Sequence, residues 1–279
     1  MRPIIFYRIL GNDLPPRHSD SQTEDCLRFT LTNEPPLRNC EKRFVLNNIV
    51  DEKKRRRLLD MISEAGFRVD EIRFNWDVCK SKSSDIEKNE YVTNINLARN
   101  FAIDHGLQDG RIVLPFDGQT YFTSDAWESF HAEIASNPKA AFYILPMHRV
   151  VDNAVVLQPD LKSRTELHVI SEPQVAFTRK SDIRFKENIG YGKGCKIELL
   201  MRLGHKGPWD TWHTNYFHQM KILALKTRSN SFGKVPFASY VYRLFSGNLK
   251  AEQDIISRRE DRKAAVTNFI NLLNRPPTE

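Results

Sequence analysis

The segment RIVLPFDGQTYFTSDAW, residues 111–127, decides the predicted fold. An Ile-Val-Leu run at residues 112–114 is typical of a strand buried on both faces in a parallel sheet. Asp117 follows this strand, and a carboxylate at that end lies in the crevice where open α/β sheets bind ligands. Gly118 lets a ligand approach the backbone closely. Because Asp-Gly is also a common tight turn, the segment alone favours a turn and a ligand site equally.

The preceding residues 94–106, NINLARNFAIDHG, predict a helix. Apolar residues recur there at helical spacing and leave Arg99 and Asn100 near the end that faces the same crevice. Arg99 is therefore a candidate to bind a sugar or phosphate, or to pair with Asp117.

This order of an Ala-Arg-Asn helix, Gly106 and an apolar strand ending in Asp resembles nucleotide-sugar glycosyltransferases of the GT-A fold, especially inverting family 2. In that family the strand end carries an Asp-x-Asp motif for metal and nucleotide, which here reads Asp117-Gly118-Gln119. The resemblance implies that Asp117, helped by Gln119, binds Mn²⁺ or Mg²⁺ and the diphosphate. One carboxylate suffices where phosphates and water supply the other hard oxygen ligands.

The residues IIFYRIL, 4–10, predict a first strand, and a loop with Gly and two Pro follows. A loop at this place grips the nucleotide in many α/β domains. The resemblance implies that it holds the base and ribose, whereas a Pro-rich surface loop is the alternative. The polar candidates are Arg8, Asn12, Asp13, Arg17 and His18.

Two β-α-β passages are predicted before Asp117, as a doubly wound sheet requires. They comprise helices at residues 23–32 and 51–66 and strands at residues 44–49 and 67–74. The Ser- and Lys-rich residues 76–90 predict a flexible loop across the mouth of the crevice. After Asp117 the pattern changes to a helix containing Trp127 and then to short strands, with a hairpin turn at Asp152-Asn153. The predicted strands there are residues 141–145, 167–170 and 174–177 and two runs, ILAL and ASYVYRLF, within residues 222–245.

Residues 183–207 extend the resemblance to the acceptor region of family 2. The matching residues are Phe185, Glu187, Tyr191-Gly192, Arg202-Leu203 and Gly204. Cys195-Lys196 stands where the family has a Glu-Asp pair, whose acid acts as general base on the acceptor hydroxyl. The remaining base candidates are Asp210, Glu198 and Glu187. The resemblance also implies His213 as an additional metal ligand.

The chain has 279 residues, a net charge of +7 and a calculated pI near 9.2, which suit an anionic ligand, an anionic membrane surface or nucleic acid. Because the charge is dispersed and no nucleic-acid motif is present, we expect no nucleic acid partner. Four cysteines without a CxxC pattern predict neither zinc nor disulfides. With neither a signal peptide nor a membrane span in the sequence, we expect a cytoplasmic protein with at most peripheral membrane contact.

The predicted fold is α/β: a GT-A-like doubly wound mixed sheet with a smaller β-rich acceptor half and a C-terminal helix. Residues 1–247 form the catalytic domain, divided near residue 125, and residues 248–279 form an amphipathic helix that docks on it, on a membrane or on another subunit. The implied function is metal-assisted, inverting transfer from a nucleotide diphosphate sugar, foremost a UDP-sugar, to a glycan or other hydroxyl acceptor. A sugar nucleotidyltransferase is one alternative, although the Gly-rich first loop of that class is missing. A non-catalytic binding or scaffold protein is the other, favoured by the missing second Asp and the missing acidic pair.

Overall fold

The computed structural model describes residues 3–158, 169–211, 214–227, 235–250 and 255–274. The strands of this part are β1 (Ile4–Leu10), β2 (Cys40–Asn47), β3 (Arg68–Ile72), β4 (Ile112–Asp117), β5 (Thr120–Tyr121), β6 (Phe142–Arg149), β7 (Val169–Thr178) and β8 (Val241–Arg243). The α-helices are α1 (Gln22–Asn33), α2 (Glu52–Glu64), α3 (Trp76–Lys80), α4 (Asp85–Val92), α5 (Ile95–Asp109), α6 (Ser124–Ser136), α7 (Ile197–Arg202), α8 (Asn215–Lys226) and α9 (Ile255–Leu273). Short 3₁₀ helices span Asn153–Leu157 and Pro208–Thr211.

The strands form one mixed sheet, with the order β3-β2-β1-β4-β7-β6-β8-β5 in the part of the chain that the structure describes. Strands β1 to β4 run parallel, and β7 lies antiparallel to both β4 and β6. Ile9 pairs in register with Asp117, so β1 and β4 end at the same edge of the sheet. This register brings the loop after β1 next to Asp117, as the sequence predicted.

Helices cover both faces of the sheet, which explains why β1 is buried along its whole length. On one face Phe6 and Phe116 pack against Trp127 and Phe130 of α6. Successive side chains of a strand lie on opposite faces of the sheet, so residues such as Tyr7 pack with α5 on the other face. A mixed α/β sheet layered between helices confirms the predicted fold class.

Side-chain caps fix the starts of several predicted helices, because they satisfy backbone N–H groups that have no partner within the helix. Asp51 accepts from the backbone of Lys54 at the start of α2, and Asn94 accepts from Leu97 at the start of α5. Thr123 caps α6 in the same way. Helix α5 continues three residues past the predicted end at Gly106.

The prediction of a flexible loop at residues 76–90 is wrong, because most of this segment forms α3 and α4. Asn75 caps α3 by accepting from two backbone N–H groups, and Ser84 caps α4. Val92 at the end of α4 packs in one apolar cluster with Phe269 and Ile270 of α9. The segment is therefore helical because it is capped and because α9 covers it.

Three further element predictions need correction. The predicted hairpin turn at Asp152-Asn153 is the start of a 3₁₀ helix that Asp152 caps. The run ILAL, residues 222–225, lies in α8, which begins after the cap Thr214. Residues 174–177 belong to the single strand β7, whereas Leu167 and His168 lie outside the described residues.

Helix α9 docks on the rest of the chain through the apolar cluster that it shares with α3 and α4. Docking was one of the three roles predicted for this helix. The division at residue 247 remains a prediction. No helix in the described ranges combines the length and apolar composition needed to cross a bilayer.

Candidate functional site

A cleft with a cavity volume of about 240 Å³ opens at the carboxyl ends of β1 and β4. Since one water occupies about 30 Å³ in the liquid, the cleft has room for a much larger ligand. The loop after β1 forms one side, and Asp117-Gly118-Gln119 lies at the end of β4. The rest of the lining comes from the loop before α7 and from the elements α1, α4, α5, α9, β2, β6, β7 and β8.

The lining carries a large excess of positive charge. Among the described residues that line it, two side chains are carboxylates, Asp117 and Glu172. The cationic residues there are Arg17, Arg99, Arg149, Lys196, Arg243 and Arg262. A cleft lined mainly by one sign of charge concentrates ligands of the opposite sign, so this cleft suits an anion.

Asp117 lies between two cations at the floor of the cleft. Its Oδ1 accepts from Arg99 Nη2 at 2.6 Å. Its Oδ2 accepts from Lys196 Nζ and from Gln174 Nε2, both at 3.3 Å. Both carboxylate oxygens therefore already have nitrogen donors.

The charge state of Asp117 follows from these neighbours. Burial raises the pKa of Asp117, but Lys196 and Arg99 outweigh it and hold the pKa well below its ordinary value of 3.8. Burial lowers the pKa of Lys196, while the charge of Asp117 acts in the opposite direction. Asp117 is therefore ionised at neutral pH, and its low pKa makes it a weak base.

The polar face of α5 positions this cluster. Asn96 Oδ1 accepts from Arg99 Nη1 at 2.8 Å, and Asn96 Nδ2 donates to the carbonyl of Cys195 at 3.0 Å. The Asn96 side chain thus holds both the Arg99 guanidinium and the backbone of Cys195, which precedes Lys196. Asn100 exchanges hydrogen bonds with the backbone of Phe185, which anchors the same segment.

Of the residues predicted to bind the nucleotide, six line the cleft: Asn12, Arg17, His18, Arg99, Asp117 and Gln119. Asn12 bridges Asn48 O and Val50 N, so its amide holds the loop after β2 in place. Gln119 Oε1 accepts from Arg243 Nε at 2.9 Å. The residue at the second Asp position of the motif therefore binds a cation of the cleft through its carbonyl oxygen.

Arg8 and Asp13 do not line the cleft, contrary to expectation. Arg8 is buried against Glu34 and donates to Thr120 O. Asp13 accepts from Lys54 and from the backbone and hydroxyl of Thr23 near the start of α1. Each of them forms an ion pair within the fold. These ion pairs explain why the two charged side chains, which the sequence analysis assigned to ligand binding, occur at these positions.

None of the three predicted bases lines the cleft either. Glu198 is buried and paired with Arg202 and Lys186. Glu187 accepts from Asn100 on the surface. Asp210 accepts from Gly207 N and pairs with Lys221; these contacts lower its pKa. The expected placement of these carboxylates beside the acceptor is therefore not found.

Gly118 has a packing role besides the predicted one at the cleft. A Cβ at this position would lie 2.6 Å from Leu10 Cδ2 and 2.9 Å from the carbonyl oxygen of Ile9. The close approach of β1 and β4 therefore requires a glycine here, and Gly118 also lines the cleft.

Comparisons with known proteins give structural likenesses only. No family model matches the chain, and no curated protein matches it. Solved structures that match include S. aureus TarS 1-349 in complex with UDP-GlcNAc, at 12% identity and a TM-score of 0.44, covering 99% of this chain and 68% of that one. GalNAc-T7 with UDP, GalNAc and Mn²⁺ matches at 11% and 0.45, covering 88% and 45%. A Pyrobaculum calidifontis mannosyltransferase with GDP-Man and Mn²⁺ matches at 13% and 0.38, covering 100% and 66%.

The chain has a mixed α/β fold with helices on both faces of its sheet. It spans less than half of the GalNAc-T7 chain. With TM-scores below 0.5, these likenesses carry no argument about activity or substrate, which rest on the cleft itself.

The described residues do not fit the divalent metal that the resemblance to GT-A glycosyltransferases implies. Both oxygens of Asp117 face nitrogen donors, and two of these donors are cations. At an effective dielectric constant of about 20, a dication about 4 Å from one unit positive charge is repelled by about 8 kcal/mol. The described part of the chain holds no cluster of three or more His, Cys, Asp or Glu side chains suited to a metal. His213, the second predicted ligand, lies outside the described residues.

Several residues of the cleft floor were not assigned to the site from the sequence, among them Glu172, Gln174, Lys196 and Arg243. Lys196 was noticed only as the replacement of an acidic residue. A basic residue in place of an acidic one was a signal that Asp117 has a cationic partner, because it reverses the charge expected at that position. The others lie in strands after Asp117 and have no local motif.

Proposed function

We propose that this chain transfers a sugar from a nucleotide diphosphate sugar, foremost a UDP-sugar, to the hydroxyl of a glycan or other acceptor. The observation that carries this proposal is the cationic cleft at the carboxyl ends of β1 and β4. A nucleotide diphosphate is an anion of the size and charge that such a cleft favours. The resemblance of residues 94–119 to nucleotide-sugar glycosyltransferases supports the same reaction.

The two sides of the cleft suit the two parts of such a donor. Asn12, Arg17 and His18 lie in or beside the loop after β1, where the base and ribose would bind. Arg99 lies beside Asp117 at the cleft floor, where the diphosphate would bind. The resemblance assigned Mn²⁺ or Mg²⁺ to Asp117 and His213, but the proposed reaction takes no step through a metal, because Asp117 is already paired with Arg99 and Lys196.

We assign the general base to Glu172, because the other carboxylate of the described lining, Asp117, has too low a pKa to accept a proton efficiently. In a single displacement, Glu172 takes the proton of the acceptor hydroxyl while the oxygen of that hydroxyl forms a bond to the anomeric carbon. The bond from that carbon to the phosphate oxygen breaks, and the nucleoside diphosphate leaves with the electron pair. This reaction inverts the anomeric configuration.

The experiment is a donor panel of UDP- and GDP-sugars, with water and simple glycans as acceptors. It measures nucleotide binding by calorimetry and the release of nucleoside diphosphate. Loss of a general base costs about 10²- to 10⁴-fold in rate, so Glu172→Gln should lower the release rate at least about 100-fold while nucleotide affinity changes little. Glu128→Gln is the control, since Glu128 lies in an exposed ion pair outside the cleft. A chain that binds no nucleotide would refute the function, whereas full activity of Glu172→Gln would refute the assigned base alone.

A further inference from the structure

We propose that Lys196 binds the diphosphate of the donor in place of a divalent metal, so that nucleotide binding is independent of metal. This inference rests on the proposed function and specifies how its donor is held. Lys196 precedes α7 and stands where the resembling family carries an acidic residue.

The position of Lys196 is that of a built site, since the residue is only 4% exposed yet lines the cleft. Its ammonium donates to Asp117 Oδ2 at 3.3 Å and to the carbonyl of Glu172 at 3.4 Å. An ammonium has three N–H donors, so one donor remains for a ligand oxygen. Burial of a cation is costly without hydrogen-bond acceptors, and Lys196 can reach a third acceptor in the cleft.

Arg99 and Arg243 complete a set of donors around the same place. Arg99 is 3% exposed, and its Nε has no hydrogen-bond partner among the described residues. The Arg243 side chain donates from Nε to Gln119 Oε1 at 2.9 Å. The charge of Arg243 also acts on both Asp117 and Lys196. Guanidinium groups bind phosphate oxygens in fixed, often bidentate geometry, which suits the two phosphates of the donor.

The charge balance favours an anion over a cation at this place. In GT-A-like sites a bound metal ion makes the net charge around the carboxylates positive, so that the site attracts a diphosphate. Here Asp117 is already balanced by Arg99 and Lys196, and further arginines surround it. The cleft therefore attracts a diphosphate without an added dication.

Calorimetric titration of the whole chain with UDP and GDP, in EDTA and in Mn²⁺, tests the inference. We expect the same nucleotide to bind in both conditions, with an affinity that differs by less than about threefold. The loss of one hydrogen bond to a charged group costs about 10- to 100-fold in affinity, so Lys196→Met should weaken binding by that factor in EDTA. Lys193→Met, in the same loop but half-exposed, is the matched control and should bind as the wild type does.

The outcomes separate this inference from the proposed function. Binding that requires Mn²⁺ would overturn the role of Lys196 and leave the proposed function standing. The absence of nucleotide binding in both conditions would overturn both. Should Lys196→Met fail to fold, Lys196→Arg keeps the charge, and the EDTA and Mn²⁺ titrations of the wild type still decide whether a metal is needed.

Discussion

At the scale of single residues, Asp117 is a counter-charge for two buried cations, and this predicts the effect of its removal. Asp117→Asn removes the carboxylate that forms an ion pair with both Arg99 and Lys196. Breaking a buried ion pair costs about 3–5 kcal/mol, and the lower end applies because 26% of the Asp117 side chain is exposed. We expect the free energy of unfolding in urea to fall by about 3 kcal/mol.

The depressed pKa of Asp117 also gives this effect a pH dependence. The folded protein holds the pKa below 3.8, so the stabilisation is fully present above that pH and is lost as the pH falls through the depressed value. Stability of the wild type should therefore decline more steeply than that of Asp117→Asn below pH 3.8. Glu128→Gln removes an exposed pair with Arg38, whose side chains are 57% and 59% exposed, and should cost at most about 1 kcal/mol. Equal losses in the two variants would contradict the role of Asp117.

At the scale of elements, the contact between the ends of β1 and β4 fixes the position of Asp117. Gly118→Ala would place a methyl group 2.9 Å from the backbone oxygen of Ile9, which cannot rotate away. Overpacking of this kind costs about 1–3 kcal/mol, which we expect as a loss in the free energy of unfolding measured by chemical denaturation. Gly11→Ala is the matched control, because a Cβ there meets no atom within 4 Å. A Gly118→Ala protein as stable as Gly11→Ala would contradict the packing argument.

The same scale shows what the sequence could predict. Strands β1 and β4 and helix α5 were found because the apolar patterns that predict them involve neighbouring residues. Residues 76–90 were misread, because their Ser- and Lys-rich composition concealed two caps and their apolar partner α9 lies far along the chain. The run ILAL was misread as a strand because four apolar residues have no distinguishing period.

The floor of the cleft could not be predicted from local patterns. Lys196 reaches Asp117 across 79 residues of sequence, and Gln174 reaches it across 57. Two of the acids predicted as bases instead have local partners: Glu198 pairs with Arg202 one helical turn later, and Asp210 accepts from Gly207 N. Pairing over long distances is decided by the order of strands, and that order places β7 beside β4.

At the scale of the whole molecule, the net charge of +7 and the cationic cleft predict how nucleotide binding depends on salt. The Debye length is about 10 Å at 0.1 M salt, so added salt screens the attraction of a dianion towards the cleft from outside. We expect the affinity for UDP or GDP to fall several-fold between about 50 and about 200 mM NaCl, whereas a polynucleotide making 6–10 phosphate contacts would lose about 10³- to 10⁵-fold over the same range. Calorimetric titrations across this range, with sucrose as the uncharged control, measure the dependence. Salt-independent affinity would contradict electrostatic recognition in the cleft, and the steep loss typical of a polynucleotide would instead mean that the ligand follows an extended basic surface.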